Sequence, residues 1–448
     1  MSVASTTAAG TLAEAGTRAA EKHPKGLYVL FFTEMWERFS FYTVAALWPL
    51  YVQNATQGFG WTQDHATNTW SYYLLFVYGS PLLGGILADR KLGYRRSVMI
   101  GGLFFIAGHA LLAFRSVPVM FLALACLVIG NGLFKPNVST MVGNLYPEGS
   151  HLKDRAYILF YMGINIGAFA APLLAEYMSR VYGFHPAFFM GALGMVISVS
   201  ILWRFRRLVE APGPGGSGEQ AAAAAVTVDL PPQEHENPID RIPDARRVMA
   251  LIALFPVIVV FWMMLHQNQT TWTYFANDNT AWSVSGVISN AINPGWILVL
   301  TFPLIWFWGR LDRRGREPGT PAKMALGMCL AGCAYFVMAL AGRMGGDTGR
   351  VSPLWIIGGY GFLTLGELLF SPMGLALVSK VAPRRLRGFM MGGWFLATAI
   401  GNKLTAIGVL WDDIPHSHYF ALLGGLSLLT ALALTLLLKP LKKAMPGV

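Results

Sequence analysis

Twelve long apolar stretches separated by short polar loops dominate the hydrophobic pattern of this 448-residue chain. Each is long enough to cross a bilayer as an α-helix, which rises about 1.5 Å per residue. The pattern therefore predicts an all-α membrane protein of twelve transmembrane helices in two six-helix bundles. The first six segments fall at about 27–52, 68–88, 97–114, 117–143, 156–179 and 187–206, and the second six at about 246–274, 284–309, 322–342, 353–380, 387–410 and 417–438.

The polar segments outside these stretches divide the chain. The N-terminal residues lack the apolar core of a signal peptide and predict a disordered tail. The middle segment contains Pro-Gly-Pro-Gly-Gly-Ser-Gly and an alanine run, which predicts a flexible linker with no span of its own. The predicted organisation is a cytoplasmic tail at 1–26, a six-helix bundle at 27–208, a cytoplasmic linker at 209–245, a second six-helix bundle at 246–440 and a cytoplasmic tail at 441–448.

Composition supports a membrane protein, because 54% of the residues are hydrophobic and only 13% are charged. Soluble domains carry about 25% charged residues. The net charge of +11 does not indicate nucleic-acid binding, because its distribution follows the membrane: 27 of the 34 Lys and Arg residues fall in the tails, the linker and the even-numbered loops. The positive-inside rule assigns that side, with both termini, to the cytoplasm.

The first segment carries three charges within five positions, in the run Glu34-Met-Trp-Glu37-Arg38. A charge near the bilayer centre costs roughly 2.5–3.5 kcal/mol. On a helix, Glu34 and Arg38 share a face and are expected to pair, which leaves Glu37 with a spare site for a proton. The alternative is a pair that only holds helices together, although small residues do that at lower cost. The run therefore predicts a site that handles polar or charged groups.

Two loops repeat one pattern in the two halves of the chain. The loop after the second segment contains Gly85, Asp89, Arg90, Gly93 and Arg95, and the loop after the eighth reads Gly-Arg-Leu-Asp-Arg-Arg-Gly-Arg over 309–316. Matching loops in two six-helix halves indicate parallel repeats, with a substrate site at mid-depth between them. The five residues named in the first loop are predicted to act in gating, whereas an ordinary basic loop would explain its arginines alone.

The Gly85–Arg96 loop resembles the signature of the major facilitator superfamily. The run Glu34-x-x-Glu37-Arg38-Phe39 closely resembles the signature of the proton-coupled oligopeptide transporter (POT) family within that superfamily. Further similar stretches are Phe134-Lys135-Pro136-Asn137, Tyr161-Met-Gly-Ile-Asn165, Gly366-Glu367-Leu-Leu-Phe-Ser371-Pro372 and Trp394-Phe395. Two positions differ from the family pattern: Ala45 stands where a second arginine is common, and His266 stands where helix 7 usually carries an acid.

The resemblance implies a symporter that imports di- and tripeptides with protons by alternating access. Proton coupling would involve Glu34, Glu37, Arg38 and His266. Arg38 and Lys135 would attract the peptide carboxylate, and Glu367 with Asn165 and Asn293 would hold its amino group. Tyr42, Tyr78, Ser371 and Trp394 would line the side-chain pockets, although packing or an interfacial position would also explain each aromatic residue. For Lys403, both a cavity-lining and a snorkelling position remain open.

The expected partners are di- and tripeptides, protons and membrane lipid, with no nucleic acid, no metal and no cofactor besides the proton gradient. A monomer in a bacterial inner membrane is expected. One alternative keeps the fold and changes the cargo to nitrate or an amino acid. Two others, a nutrient sensor and a membrane enzyme, are less favoured, since no span offers a Ser-His-acid group, paired aspartates or metal ligands.

Overall fold

A computed structural model describes residues 23–146, 152–209, 242–383 and 386–445 of the chain. Residues 1–22 of the predicted disordered tail, most of the predicted linker and the last three residues lie outside this part. The described helices are α1 Lys25–Gln53, α2 Gln63–Leu87, α3 Tyr94–Leu111, α4 Val117–Asn144, α5 Leu152–Tyr182, α6 Phe184–Arg204, α7 Asp244–Asp278, α8 Ile292–Asp312, α9 Thr320–Met344, α10 Pro353–Val381, α11 Arg387–Lys403 and α12 His416–Ala444.

These helices confirm the predicted all-α fold. Ten of the helical segments in the described part are long and apolar enough to cross a membrane. The other two, α1 and α3, carry charges within the helix or in its first turn. Helix α1 begins two residues before the predicted bundle, α7 two residues before, and α12 ends four residues after it. These ends are polar, so the hydropathy pattern cannot include them.

Each half of the chain has its own apolar core. One buried cluster is built by α1–α6, and another by α7–α12. Glycines allow close approach within each half: a Cβ on Gly84 of α2 would lie 1.8 Å from the carbonyl oxygen of Gly132 in α4, and Gly327 of α9 meets Gly366 of α10 in the same way. Because each bundle has its own core, one half can move against the other without losing its packing.

The two repeated loops lie at the same end of the molecule, called here the basic face. After α2, residues Ala88–Leu92 form one π-helical turn that ends at Gly93, whose φ is 75°. After α8, Gly315 has a φ of 62°. Glycine takes this backbone region without strain. Both loops therefore have a glycine with positive φ at matching places in the sequence.

Helix α7 is interrupted near its middle. The α-helix ends at Leu265, a 3₁₀ turn covers His266–Gln269, and Thr270 leaves helical geometry with φ −127° and ψ −96° before the helix resumes at Thr271. Broken helices at membrane depth are tolerated where protein or a cavity surrounds the freed backbone groups. The break places His266 inside the molecule, facing the first half.

We expect Gly84→Ala to destabilise the protein by roughly 1–3 kcal/mol, because the added methyl group would overlap the Gly132 backbone. Thermal unfolding of the purified protein in detergent measures the effect. The matched control is Gly79→Ala in the same helix, where an added Cβ meets nothing within 4 Å. Equal melting temperatures for the two variants would contradict the close α2–α4 contact.

Candidate functional site

The charges of α1 form a buried ion cluster. Arg38 donates two hydrogen bonds to the Glu37 carboxylate: Nη2 donates to Oε1 at 2.6 Å, and Nε donates to Oε2. Arg38 Nε also lies 3.4 Å from Glu34 Oε1. All three residues are at most 4% exposed. A two-pronged arginine–carboxylate pair is the strongest form of this contact, so Arg38 is fixed mainly by Glu37.

The expected division of roles between the two glutamates is therefore wrong. The predicted contact between Glu34 and Arg38 is present, but the carboxylate with a free oxygen belongs to Glu34. Its Oε2 is buried and has no hydrogen-bond partner in the described part of the chain. Neighbouring side chains on a helix start about 100° apart, yet they are long enough to bend together, and the geometry of the guanidinium favours the residue that offers both oxygens.

Lys135 of α4 adds a second cation next to this cluster. Its Nζ lies 4.8 Å from the centre of the Tyr78 ring and interacts electrostatically with Glu34, Glu37 and Arg38. Within the described residues, Nζ makes no hydrogen bond or ion pair, so its positive charge is available to an anion. The cluster thus contains two carboxyl groups and two basic groups.

Asn131 was missed by the sequence analysis. Its Oδ1 accepts a hydrogen bond from Arg38 Nη2 at 3.4 Å, and its Nδ2 donates to the carbonyl oxygen of Val77 at 2.7 Å. Asn131 precedes Lys135 by four positions, so the two residues share one face of α4. A polar residue at this spacing from a charge within a span is the signal that could have identified it.

A hydrogen bond joins the two halves at the break in α7. The Tyr78 hydroxyl lies 2.9 Å from His266 Nε2, and His266 Nδ1 lies 3.2 Å from the carbonyl oxygen of Trp262. Because that carbonyl oxygen can only accept, Nδ1 carries the proton and Nε2 accepts from Tyr78 in the neutral imidazole. The His266 ring also stacks on Trp262 with centroids 5.4 Å apart. Both ring nitrogens are thus engaged.

The second half contributes an acidic group. Glu367 of α10 accepts a hydrogen bond at its Oε2 from Asn293 Nδ2 at 2.9 Å, and the same nitrogen lies 2.9 Å from the Thr364 hydroxyl. Tyr42 is within electrostatic range of both Arg38 and Glu367. Tyr42 is therefore close to charged groups of both halves.

The remaining predicted site residues make no contact with the ion cluster that a hydrogen bond or ion pair in the described part shows. Asn165 is buried and donates from Nδ2 to the carbonyl oxygen of Tyr161 at 2.8 Å. The Ser371 hydroxyl is buried without a hydrogen-bond partner in the described part. Trp394 is 4% exposed and belongs to the apolar core of the second half. Ala45 is likewise buried in the apolar core of the first half.

The predicted gating residues lie on the basic face. Gly85 faces α4, where an added Cβ would lie 4.0 Å from Pro136. Asp89 and Arg90 are exposed on the π-helical turn, and Asp89 interacts with the side chain of Tyr94. The structure thus brings these residues together in one loop, separate from the ion cluster.

Polar contacts hold the halves together at the end opposite the basic face. The buried Glu176 of α5 accepts from the backbone nitrogen of Ser285 at 2.8 Å and from its hydroxyl. Trp70 donates to Gln269 at 3.2 Å, and Thr67 lies 3.2 Å from Tyr274. The sequence analysis missed Glu176, an acidic residue within the fifth segment.

Lys403 is one of these contacts between the halves. Its Nζ lies 3.1 Å from the Ser71 hydroxyl and 3.3 Å from Asn68 Oδ1, and 3.8 Å from the centre of the Tyr72 ring. Lys403 therefore takes neither of the two positions considered from the sequence, a cavity-lining or a snorkelling one. Its side chain connects α11 to α2.

The described helices form two bundles, and both bundles carry buried charged side chains; this arrangement is typical of a secondary transporter. The Major Facilitator Superfamily model matches residues 30–406. A di-/tripeptide transporter of Lactococcus lactis subsp. cremoris is 30% identical, covering 95% of this chain and 97% of its own length. The uncharacterized transporter YclF of Bacillus subtilis is 32% identical, covering 95% and 96%.

A solved structure agrees with these relatives. The crystal structure of the peptide transporter POT in complex with sulfate has a TM-score of 0.83 and 32% identity, covering 96% of this chain and 97% of that one. The chain therefore belongs to the Major Facilitator Superfamily and, within it, to the proton-coupled oligopeptide transporter family. The resemblance found in the sequence motifs is confirmed.

We expect Lys403→Gln to weaken closure of the face opposite the basic face, because it removes a cation that contacts two polar groups of α2. A partly exposed contact of this kind is worth up to about 1 kcal/mol, so opening should become up to about fivefold more frequent. The measurement is maleimide labelling of Thr67→Cys in a chain whose three native cysteines are replaced by alanine.

The matched control is Arg350→Gln, which removes an exposed positive charge from the loop between α9 and α10. Labelling should stay at the background rate in that variant. Unchanged labelling in Lys403→Gln, or equal acceleration in both variants, would show that Lys403 does not hold the halves together.

Proposed function

We propose that this protein is a symporter that imports di- and tripeptides together with protons by alternating access. One observation carries the proposal: Arg38 of the first half and Glu367 of the second half both interact electrostatically with Tyr42, and Lys135 interacts with Arg38, so cations of one half and an acid of the other belong to one region. A short peptide is a zwitterion that needs a cationic and an anionic partner at a fixed separation. Family membership and the names of the relatives support the same cargo.

In this proposal the peptide carboxylate approaches Lys135, which has the free cation, and then Arg38. The peptide amino group approaches Glu367, whose Oε2 is oriented by Asn293. Tyr42, Tyr78, Asn165, Ser371 and Trp394 surround the side chains of the peptide. Arginine binds a carboxylate through a planar fork and lysine as a point charge, so the pair tolerates varied peptide geometry.

Proton coupling follows from the Glu37–Arg38 pair. As long as Glu37 is ionised, it takes two of the N–H donors of Arg38, from Nε and Nη2. A proton on Glu37 removes that charge and frees Arg38 for the peptide, so proton and peptide bind cooperatively. Glu34, with its free oxygen, is a relay for the same proton. One proton crossing 100 mV supplies about 2.3 kcal/mol, or roughly 50-fold accumulation.

His266 is a further candidate for proton handling. Protonation of Nε2 would reverse the direction of the hydrogen bond with Tyr78, since His266 would then donate to the hydroxyl. Because this hydrogen bond joins the halves, the reversal would affect residues of both bundles. Lys135 of the first half interacts electrostatically with His266.

We place the protein in a bacterial inner membrane with the basic face and both termini in the cytoplasm, as the distribution of Lys and Arg indicates. Gly85, Asp89, Arg90, Gly93 and Arg95 would then gate the cytoplasmic side. A monomer is sufficient, because one chain supplies both charged groups. The proposal includes no chemical catalysis and no cofactor, since the proton gradient supplies the energy.

The deciding experiment is uptake into liposomes with an inward proton gradient, using labelled peptides of one to four residues. Di- and tripeptides should accumulate, single amino acids should not, and unlabelled Ala-Ala should compete while nitrate does not. Competition by nitrate or by single amino acids would establish the alternative cargo. Binding without uptake would indicate a sensor.

The same assay tests Glu367. N-acetylated Ala-Ala lacks the amino group and should compete at least tenfold less well than Ala-Ala in the natural protein. In Glu367→Gln the two competitors should become nearly equal. A preference that persists in this variant would remove Glu367 from the amino-group site without affecting the peptide assignment.

We expect Glu37→Gln to abolish gradient-driven uptake and to spare counterflow exchange, because Arg38 is then free at every pH. The matched comparison is Glu34→Gln, which leaves the Glu37–Arg38 fork in place and should retain some gradient-driven uptake. Both are measured as uptake against pH and as exchange without a gradient. Fully pH-driven uptake by Glu37→Gln would reject this residue as the coupling carboxylate.

A further inference from the structure

A cavity of about 400 Å³ opens on the basic face of the first half, apart from the ion cluster. It lies between the start of α3 and the end of α6, beside the short 3₁₀ turn Arg206–Leu208. None of its lining residues is acidic. They are Arg95, Arg96, Met99, Ile100, Trp203 and Arg206.

The lining has two parts of different chemistry. Arginines come from two separate helical segments, so a group bound between them meets positive charge from both sides. Met99 and Ile100, one turn further along α3, and the indole of Trp203 supply an apolar wall. A ligand that fits must combine an anionic group with an apolar one.

Arg206 is held in place for such a ligand. Its Nη1 donates to the carbonyl oxygen of Trp203 at 3.0 Å, and its guanidinium carbon lies 5.3 Å from the centre of the Trp203 ring. The carbonyl is neutral, and Arg206 makes no ion pair within the described part of the chain. Arg96 is exposed at the rim.

The surroundings of the cavity match the boundary between headgroups and acyl chains. Trp203 is 59% exposed, and Phe205 and Leu208 are 44% and 42% exposed. Aromatic residues at the ends of membrane helices lie at headgroup level. Arg204 and Arg207 are exposed nearby, so the end of α6 alternates cations with apolar side chains. This alternation suits a membrane surface better than water.

We propose that this cavity binds the phosphodiester group of an anionic phospholipid of the adjacent leaflet. Arg96 and Arg206 hold the phosphate oxygens, since guanidinium groups bind phosphate in a fork geometry. The first part of the acyl chains lies along Met99, Ile100 and Trp203. Each cation near an anionic membrane surface contributes about fivefold in affinity, so the two arginines together favour an anionic over a zwitterionic lipid by at least about tenfold.

Native mass spectrometry of the purified full chain tests the site with two lipids that share acyl chains, phosphatidylglycerol and phosphatidylcholine. We expect at least tenfold stronger retention of phosphatidylglycerol. In Arg96→Gln/Arg206→Gln the retention of phosphatidylglycerol should fall to about that of phosphatidylcholine. The matched control is Arg313→Gln/Arg314→Gln in the corresponding loop of the second half, which removes two exposed cations from the same face and should keep the preference.

Glycerol 1-phosphate separates a lipid from a free phosphate compound. At millimolar concentration it should leave the bound phosphatidylglycerol in place, because it lacks the apolar part. Displacement by glycerol 1-phosphate would assign the cavity to a soluble phosphate compound instead. Equal retention of the two lipids, or a preference that survives in Arg96→Gln/Arg206→Gln, would overturn the proposal.

Discussion

The buried pair between Arg38 and Glu37 is the constraint on which the rest of this structure depends. Breaking a buried ion pair by removing one partner costs about 3–5 kcal/mol, because the other charge remains without compensation. Arg38 therefore has to exchange one anion for another whenever it leaves Glu37. A protonated Glu37 and a ligand carboxylate together satisfy that requirement, and neither does so alone. In the proposed function, coupling therefore follows from the cost of leaving a buried charge without a partner.

In the proposed transport cycle, the binding site also has to contain residues of both halves. Arg38 and Lys135 lie on α1 and α4 of the first half, whereas Glu367 and His266 lie on α10 and α7 of the second. The Tyr78–His266 hydrogen bond is one of the contacts between the halves at the break in α7. A ligand that touches both groups stabilises one relative placement of the halves. Binding and conformational change are thereby connected through the same few side chains.

The contacts that close the face opposite the basic face have a different character from the ion cluster. They are single hydrogen bonds between neutral groups, and contacts of Glu176 and Lys403 with hydroxyl, amide or backbone groups. Each is worth about 0.5–1.5 kcal/mol, or somewhat more where a charge takes part. A set of weak contacts can be made and broken in a transport cycle, whereas the buried pair within α1 stays in one helix throughout. Strength within the halves and weakness between them are both needed for alternating access.

The sequence by itself determined the twelve helices, the two repeats, the charged run in α1 and the family, because these depend on apolar length and on motifs that are local in the chain. The tertiary structure decided which groups meet. Spacing along a helix favoured Glu34 as the partner of Arg38, but side-chain length and the two-pronged geometry gave that place to Glu37. Asn131, Glu176 and the bridge made by Lys403 depend on contacts between residues far apart in the chain, and no periodicity encodes those contacts.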